Sequence, residues 1–258
     1  MAFSINHHEK GPKDRAAVIF LHGVGGDGHS WDFQLESFSV QNRAIAWDMP
    51  GYGASPLIDP MTFEALGDGL ISLMDHLKIE RAHLVGHSMG GMVAQQAIAT
   101  APNRFASLVL SATSPAFGKP DGDFQKEFVA ARIKPLEDGL TMADLAKKQV
   151  PGMMGDDPSP VGSAMAHASM SKVSIETFKA SMECLVTFDR RDNLSLITAP
   201  TLVLAGEKDT NAPAPMMEKM ASKIPGSEYI CIPGVGHLAN LERPKEFDTI
   251  VRKFIEKN

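Results

Sequence analysis

Cysteine is scarce in this chain: only Cys184 and Cys231 occur among 258 residues. They lie far apart and without metal-ligand spacing, which argues against a disulfide framework and for two structural thiols in a reducing compartment. Long apolar runs are missing as well. Nothing approaches the roughly 20 residues that a bilayer-spanning helix needs, and residues 1–14 lack the apolar stretch of a secretory leader, so a cytoplasmic location is expected. There is no run of Lys or Arg, and the net charge of -6 leaves no electrostatic footprint for nucleic acid or an anionic membrane surface. Neither an H-E-x-x-H motif nor a His-Asp cluster is present, so no metal is expected. No internal repeat or low-complexity tract interrupts the chain. A hydrophobic content of 43 % is ample for a buried core. The expected partner is therefore a small molecule, bound by a monomer or a homodimer.

What is present is an alternation of short β-branched apolar runs with longer stretches of helical period. Strands are read at residues 17–22, 43–48, 82–86, 106–112, 201–205 and 228–232. Helical stripes include Phe63, Leu66, Leu70, Met74 and Leu77, and then Phe247, Ile250, Val251, Phe254 and Ile255 behind Pro244, with Glu242 and Glu246 placed near the positive end of that last helix. This is the pattern of an α/β fold, a mostly parallel central sheet with helices on both faces. The alternation stops between residues 115 and 195. Helices read at 124–133, 142–149, 160–170 and 175–185 make that segment a helical cap inserted into a core formed by residues 1–114 and 196–258. Open α/β sheets bind ligands at the carboxyl edge of their strands, which is where such a cap would sit.

One strand runs into Gly86-His87-Ser88-Met89-Gly90 and a helix begins at once. A serine flanked by small residues on a sharp strand-to-helix turn is the geometry of a nucleophile elbow. The bland reading is a serine that merely caps a glycine-rich helix start, but the strand before and the helix after favour the elbow. The helix would aim its amino end at the reacting carbon, with the N–H of Met89 donating to the developing oxyanion.

A serine hydroxyl needs a base, and the base needs an acid to fix its tautomer. Two later strands end in suitable loops. Residues 201–205 lead into Gly206-Glu207-Lys208-Asp209, and residues 228–232 lead into Pro233-Gly234-Val235-Gly236-His237. Asp209 is the preferred acid, with Glu207 the competitor, and His237 is the base. His22 and His87 read as packing residues, and His29 has no assigned role.

The loop His22-Gly23-Val24-Gly25-Gly26-Asp27-Gly28 holds a decoy. Gly23, Gly25 and Gly28 satisfy G-x-G-x-x-G, and Asp48 ends the next strand where a ribose-binding acid belongs. An NAD-dependent oxidoreductase is thus a remote alternative. Against it, Asp27 would repel a pyrophosphate, Asp48 is followed by a long glycine-proline turn, and the Ser88, Asp209 and His237 loops would go unexplained. In the hydrolase reading Val24 supplies the second oxyanion donor, with Gly25 beside it. Each such donor contributes about 3 to 4 kcal/mol to transition-state stabilisation. Within the cap, Met142, Met153, Met154, Met165, Met170 and Met182 offer adaptable apolar surface, and Arg132, Arg190 or Arg191 could bind a substrate carboxylate.

These loops resemble those of the α/β-hydrolase superfamily at His22-Gly23-Val24-Gly25-Gly26, at residues 48–55, at Gly86-His87-Ser88-Met89-Gly90-Gly91, at residues 206–209 and at Gly236-His237. The resemblance covers the chain outside the cap. It implies an α/β-hydrolase fold and a serine hydrolase that works through an acyl-enzyme with no cofactor. Ser rather than Asp as nucleophile disfavours haloalkane dehalogenase and epoxide hydrolase activities. Residues 25–32 and 88–93 are similar to 3-oxoadipate enol-lactonases and small carboxylesterases, whereas His22-Gly23 is the commoner esterase form. The proline-containing glycine loop and the Asn before Ser of carbon-carbon bond hydrolases are absent. The expected function is cleavage of a carboxylic ester or lactone; a carbon-carbon bond hydrolase and a non-enzymatic ligand receptor on the same fold are the alternatives. Residues 1–15 are too few for the two antiparallel strands that often open this fold.

Overall fold

A computed structural model describes residues 5–118 and 122–258. Seven strands form one sheet: β1 (His7–Lys10), β2 (Ala17–Leu21), β3 (Arg43–Trp47), β4 (Ala82–His87), β5 (Phe105–Ser111), β6 (Thr201–Gly206) and β7 (Glu228–Ile232). Their order is β1-β3-β2-β4-β5-β6-β7. All pairings are parallel except that of β1 with β3. Six of these strands are the ones expected, shifted by a residue at some ends. The seventh, β1, pairs antiparallel with β3 at the edge of the sheet and is the one strand before β2 among the described residues.

The sheet is covered on both faces because side chains alternate along each strand. Val18, Phe20, Val85, Val109, Leu202 and Leu204 pack with α1 (Asp32–Phe38), and α10 (Pro244–Ile255) adds Phe247, Val251 and Phe254 to that layer. Ile19, Leu21, Leu84, Leu108, Leu110 and Val203 face the other way. There they meet α2 (Phe63–His76) and α3 (Met89–Thr100), with Met217 and Met220 of α8 (Ala214–Ala221) extending the layer.

Between β5 and β6 lie four helices: α4 (Asp123–Glu137), α5 (Met142–Met153), α6 (Pro160–Lys172) and α7 (Ile175–Leu185). Three run further than their sequence suggests; α6 gains a short end, and the other two each pass a proline near the C-terminus, Pro135 in α4 and Pro151 in α5. A short α9 (Ala239–Glu242) precedes α10. Among the described residues no helix is long and apolar enough to cross a membrane.

The strand order places the site. After β2 the chain moves outward to β3 and then crosses back to β4 on the other side of β2. The glycine loop leaving β2 and the turn leaving β4 therefore emerge side by side at the switch point, where the crevice of such a sheet opens.

Candidate active site

Ser88 sits between β4 and α3 with φ 52° and ψ -120°, a left-handed conformation that costs a non-glycine residue energy and persists only when its surroundings enforce it. They do so here. Its N–H donates to Ser111 O at 3.0 Å, and its carbonyl accepts the Thr113 hydroxyl at 2.7 Å. Close packing explains the flanking glycines: a Cβ on Gly86 would lie 2.6 Å from Gly90 O, and one on Gly90 would lie 2.3 Å from Leu21 O. Gly23 passes directly over the serine, since a Cβ there would stand 2.7 Å from Ser88 Cβ. The first N–H groups of α3, Met89 among them, have no partner within the helix.

His237 and Asp209 come from the loops after β7 and β6 and meet with Nδ1 to Oδ2 at 2.8 Å. The other carboxylate oxygen accepts the N–H groups of Asn211 at 2.8 Å and Ala212 at 3.0 Å. Burial works against the ionised form of Asp209, but the hydrogen bond and charge of His237 and these two amides outweigh it and hold the carboxyl below its ordinary range. The competing acid, Glu207, is turned away and accepts Gly234 N–H.

The two flanking histidines are neutral structural groups. His22 Nε2 accepts the Met49 N–H at 3.0 Å, so Nδ1 carries the proton and donates to Gly23 O at 2.8 Å. His87 Nε2 donates to the His237 carbonyl at 2.9 Å, and its ring packs edge-on against that of His237. Burial, then the neighbouring His237, push its pKa down to about 3.

A cavity of about 390 Å³ opens over Ser88, His237 and Val24. Met92, Ala112, Asn211 and Ala212 also line it, and the segment between β5 and β6 adds Phe117, Phe128 and Arg132, then Met153, Met170 and Met182. Arg132 lies over the face of Phe128, with its guanidinium carbon 3.3 Å from the ring centroid. Phe117, Phe128 and Lys148 carry no signal in the sequence that marks them as lining residues.

Several expected residues lie elsewhere. Arg190 is held by Gln96 and by Glu64 at 3.0 Å, and Arg191 pairs with Asp189 on an exposed turn, so neither lines the cavity. Met154 follows α5 away from it, Met142 is buried in the core, and Met165 packs on the core without reaching the cavity. Gly25, with φ +80°, lines a smaller void beside Met170 rather than the main space. Glu242 does not serve the amino end of α10; it closes α9, and its carboxylate accepts three backbone N–H groups around His237.

The glycine loop that fits a dinucleotide fingerprint is engaged in other work. Asp48 accepts the Asn6 side chain, Gly28 N–H and Ala54 N–H, fixing two turns. Asp27 caps the short 3-10 helix Gly28–Trp31 and accepts the Ser169 hydroxyl from α6 at 2.8 Å. Among the described residues no three His, Cys, Asp or Glu side chains gather as metal ligands.

A model of the alpha/beta hydrolase family matches residues 18–249. The chain belongs to that family. This hydrolase is 28% identical to 3-oxoadipate enol-lactonase 1 of Acinetobacter baylyi, over 95% of the chain and 91% of the relative. It is 29% identical to the dihydrolipoyllysine-residue acetyltransferase component of the acetoin cleaving system of Pseudomonas putida, over 97% of the chain but only 66% of that longer protein. Among solved structures, a thermophilic esterase from Thermogutta terrifontis, with malate bound, superposes with a TM-score of 0.89 at 28% identity, covering 98% of this chain and 93% of that one. The enol-lactonase of Burkholderia xenovorans gives 0.87 at 26% identity, over 98% and 96%.

Proposed function

We propose that this hydrolase cleaves a carboxylic ester or lactone through an acyl-enzyme on Ser88. The observation that carries the reading is the 2.8 Å contact of His237 with Asp209 on the same cavity wall as a strained, outward-facing Ser88. His237 takes the serine proton through Nε2 while Asp209 holds Nδ1–H, Ser88 Oγ adds to the carbonyl carbon, and the N–H groups of Met89 and Val24 receive the negative oxygen. Collapse expels the alkoxide, which takes the proton from His237. A water deprotonated by His237 then adds to the acyl carbon, and the acid leaves as Ser88 regains its proton. In a lactone the expelled alkoxide stays on the acyl chain.

The cavity wall favours a mainly apolar acyl part, and Arg132 favours a substrate that also bears a carboxylate. Relatives named as an esterase and as enol-lactonases accord with cleavage of an ester or lactone. The test is a panel of neutral and carboxylated esters and lactones with parent enzyme and Ser88→Ala. Ser88→Ala is expected to keep the fold, to lose labelling by a fluorophosphonate and to lower turnover by about 10⁶-fold, as removal of a triad serine does. Near-normal turnover in the variant would overturn the nucleophile. A parent that is labelled yet turns over nothing on the panel would favour a ligand receptor.

A further inference from the structure

Glu242 is nine-tenths and more buried, with 3 % of its surface exposed. Its neighbour Arg243 points away and donates to Asp156 O. A buried carboxylate persists when hydrogen bonds replace its hydration, and here all of them are backbone N–H groups. Oε2 accepts from Gly155 at 2.6 Å and Gly236 at 3.1 Å, and Oε1 accepts from Leu238 at 3.0 Å. Two of these donors bracket His237. The third belongs to the cap segment that follows α5.

That segment is laced to the histidine loop by further bonds. His237 N–H donates to Met153 O at 2.7 Å and Asp156 N–H to Gly234 O at 2.7 Å. The two stretches are pressed together so closely that a Cβ on Gly155 would lie 2.1 Å from Gly234 O, and one on Gly236 would lie 2.4 Å from Met153 O. With His87 donating to the His237 carbonyl, the peptide groups on either side of the His237 Cα are pinned. Met153 itself lines the cavity over Ser88.

We propose that Glu242 is a positioning residue for His237: its carboxylate clamps the main chain on both sides of the base and fastens it to cap residues 153–155, so that the base and one wall of the acyl cavity move as a single body. The inference rests on His237 being the base. A carboxylate suits the task because it offers acceptors only. A glutamine could turn its oxygen to one side of the clamp, but its amide N–H groups would then face the remaining backbone N–H.

The test is Glu242→Gln, with active sites counted by fluorophosphonate titration so that misfolded protein drops out. The expected result is a kcat per titrated site lower by about tenfold to a hundredfold, the scale of a small misplacement of a catalytic group, with KM for a short acetate ester within about twofold. Glu242→Asp, which keeps the charge but has a shorter reach, is expected to recover part of the loss. Hydrogen exchange on the parent enzyme provides an arm that needs no variant: Gly155, Gly236 and Leu238 amides are expected to open with one common free energy. Unchanged kcat per site in Glu242→Gln, or a Gly155 amide that exchanges independently of the other two, would overturn the proposal. A parent that fluorophosphonate does not label would instead overturn the triad reading beneath it.

Discussion

Asp209 spends one oxygen on His237 and the other on two backbone amides, so its orientation leaves a single imidazole tautomer available to Ser88. Asp209→Asn would present an amide N–H to His237 Nδ1 and favour the opposite tautomer. Turnover is expected to fall by about 10⁴-fold with little change in structure. The same residue carries a pH signature. Its carboxyl is held below the usual range in the fold, so its contribution to stability is complete above the unfolded carboxylate pKa and is lost as pH falls through the depressed native value. Urea midpoints of parent and Asp209→Asn are therefore expected to converge on acidification. A gap that stayed constant with pH would deny the carboxylate that role. His87, neutral until near pH 3, contributes no limb to the activity profile. These residues differ in how far the sequence reveals them. Ser88, Asp209 and His237 lie at strand ends, where the elbow motif and the strand order point to their loops, but only the structure separates Asp209 from Glu207, whose carboxylate accepts Gly234 N–H instead. Glu242 gives no such sign, because its partners are amides of a remote cap loop and of its own turn, contacts that exist only in three dimensions.

At the level of elements, the contact of α3 with β2 fixes the elbow. Gly90 meets the carbonyls of Leu21 and His22 at distances that leave no room for a methyl group. Gly90→Ala is expected to lower stability by about 1–3 kcal/mol, read as a fall in Tm, because backbone rather than a flexible side chain must shift. Activity per titrated site should fall with it, since the same shift moves Ser88 from the glycine loop. An unchanged Tm would show that the helix can slide. Strands with a strong apolar signal were the legible ones: β2 to β6 are mostly apolar runs bounded by glycine or polar turns, and β7, Glu-Tyr-Ile-Cys-Ile, was legible although only partly buried. Strand β1, His-His-Glu-Lys, escaped notice because an edge strand half open to solvent needs no apolar period, and only its pairing with β3 makes it a strand. Helices α4 and α5 outran their expected ends because a proline removes one hydrogen bond near a terminus without preventing another turn. Which arginine lines the cavity could not be read from sequence. Arg132 and Arg190 are alike as residue types, and only packing turns one toward the cavity and the other toward Gln96 and Glu64.

Across the whole molecule, core and cap are joined by a few buried polar bonds. Tyr52 of the turn after β3 meets Ser181 of α7 at 2.8 Å, and Thr177 donates to Gly51 O at 2.9 Å. Burial pushes the Tyr52 hydroxyl well above its usual pKa, despite the Ser181 bond, so it stays protonated and needs its partner. Ser181→Ala should cost about 1–3 kcal/mol by stranding that hydroxyl, whereas adding Tyr52→Phe should restore part of the loss. Calorimetry of the two single variants and the double variant reads the difference, and strict additivity would mean the bond contributes nothing. The order of the sheet has one more consequence. Strand β7 is laid on an edge late in the chain, and His237 follows it. During synthesis the proposed nucleophile Ser88 and the proposed oxyanion donors Val24 and Met89 leave the ribosome well before the proposed base His237. On the triad reading, a message cut short between the codons for Ser88 and His237 yields a serine without its proposed base.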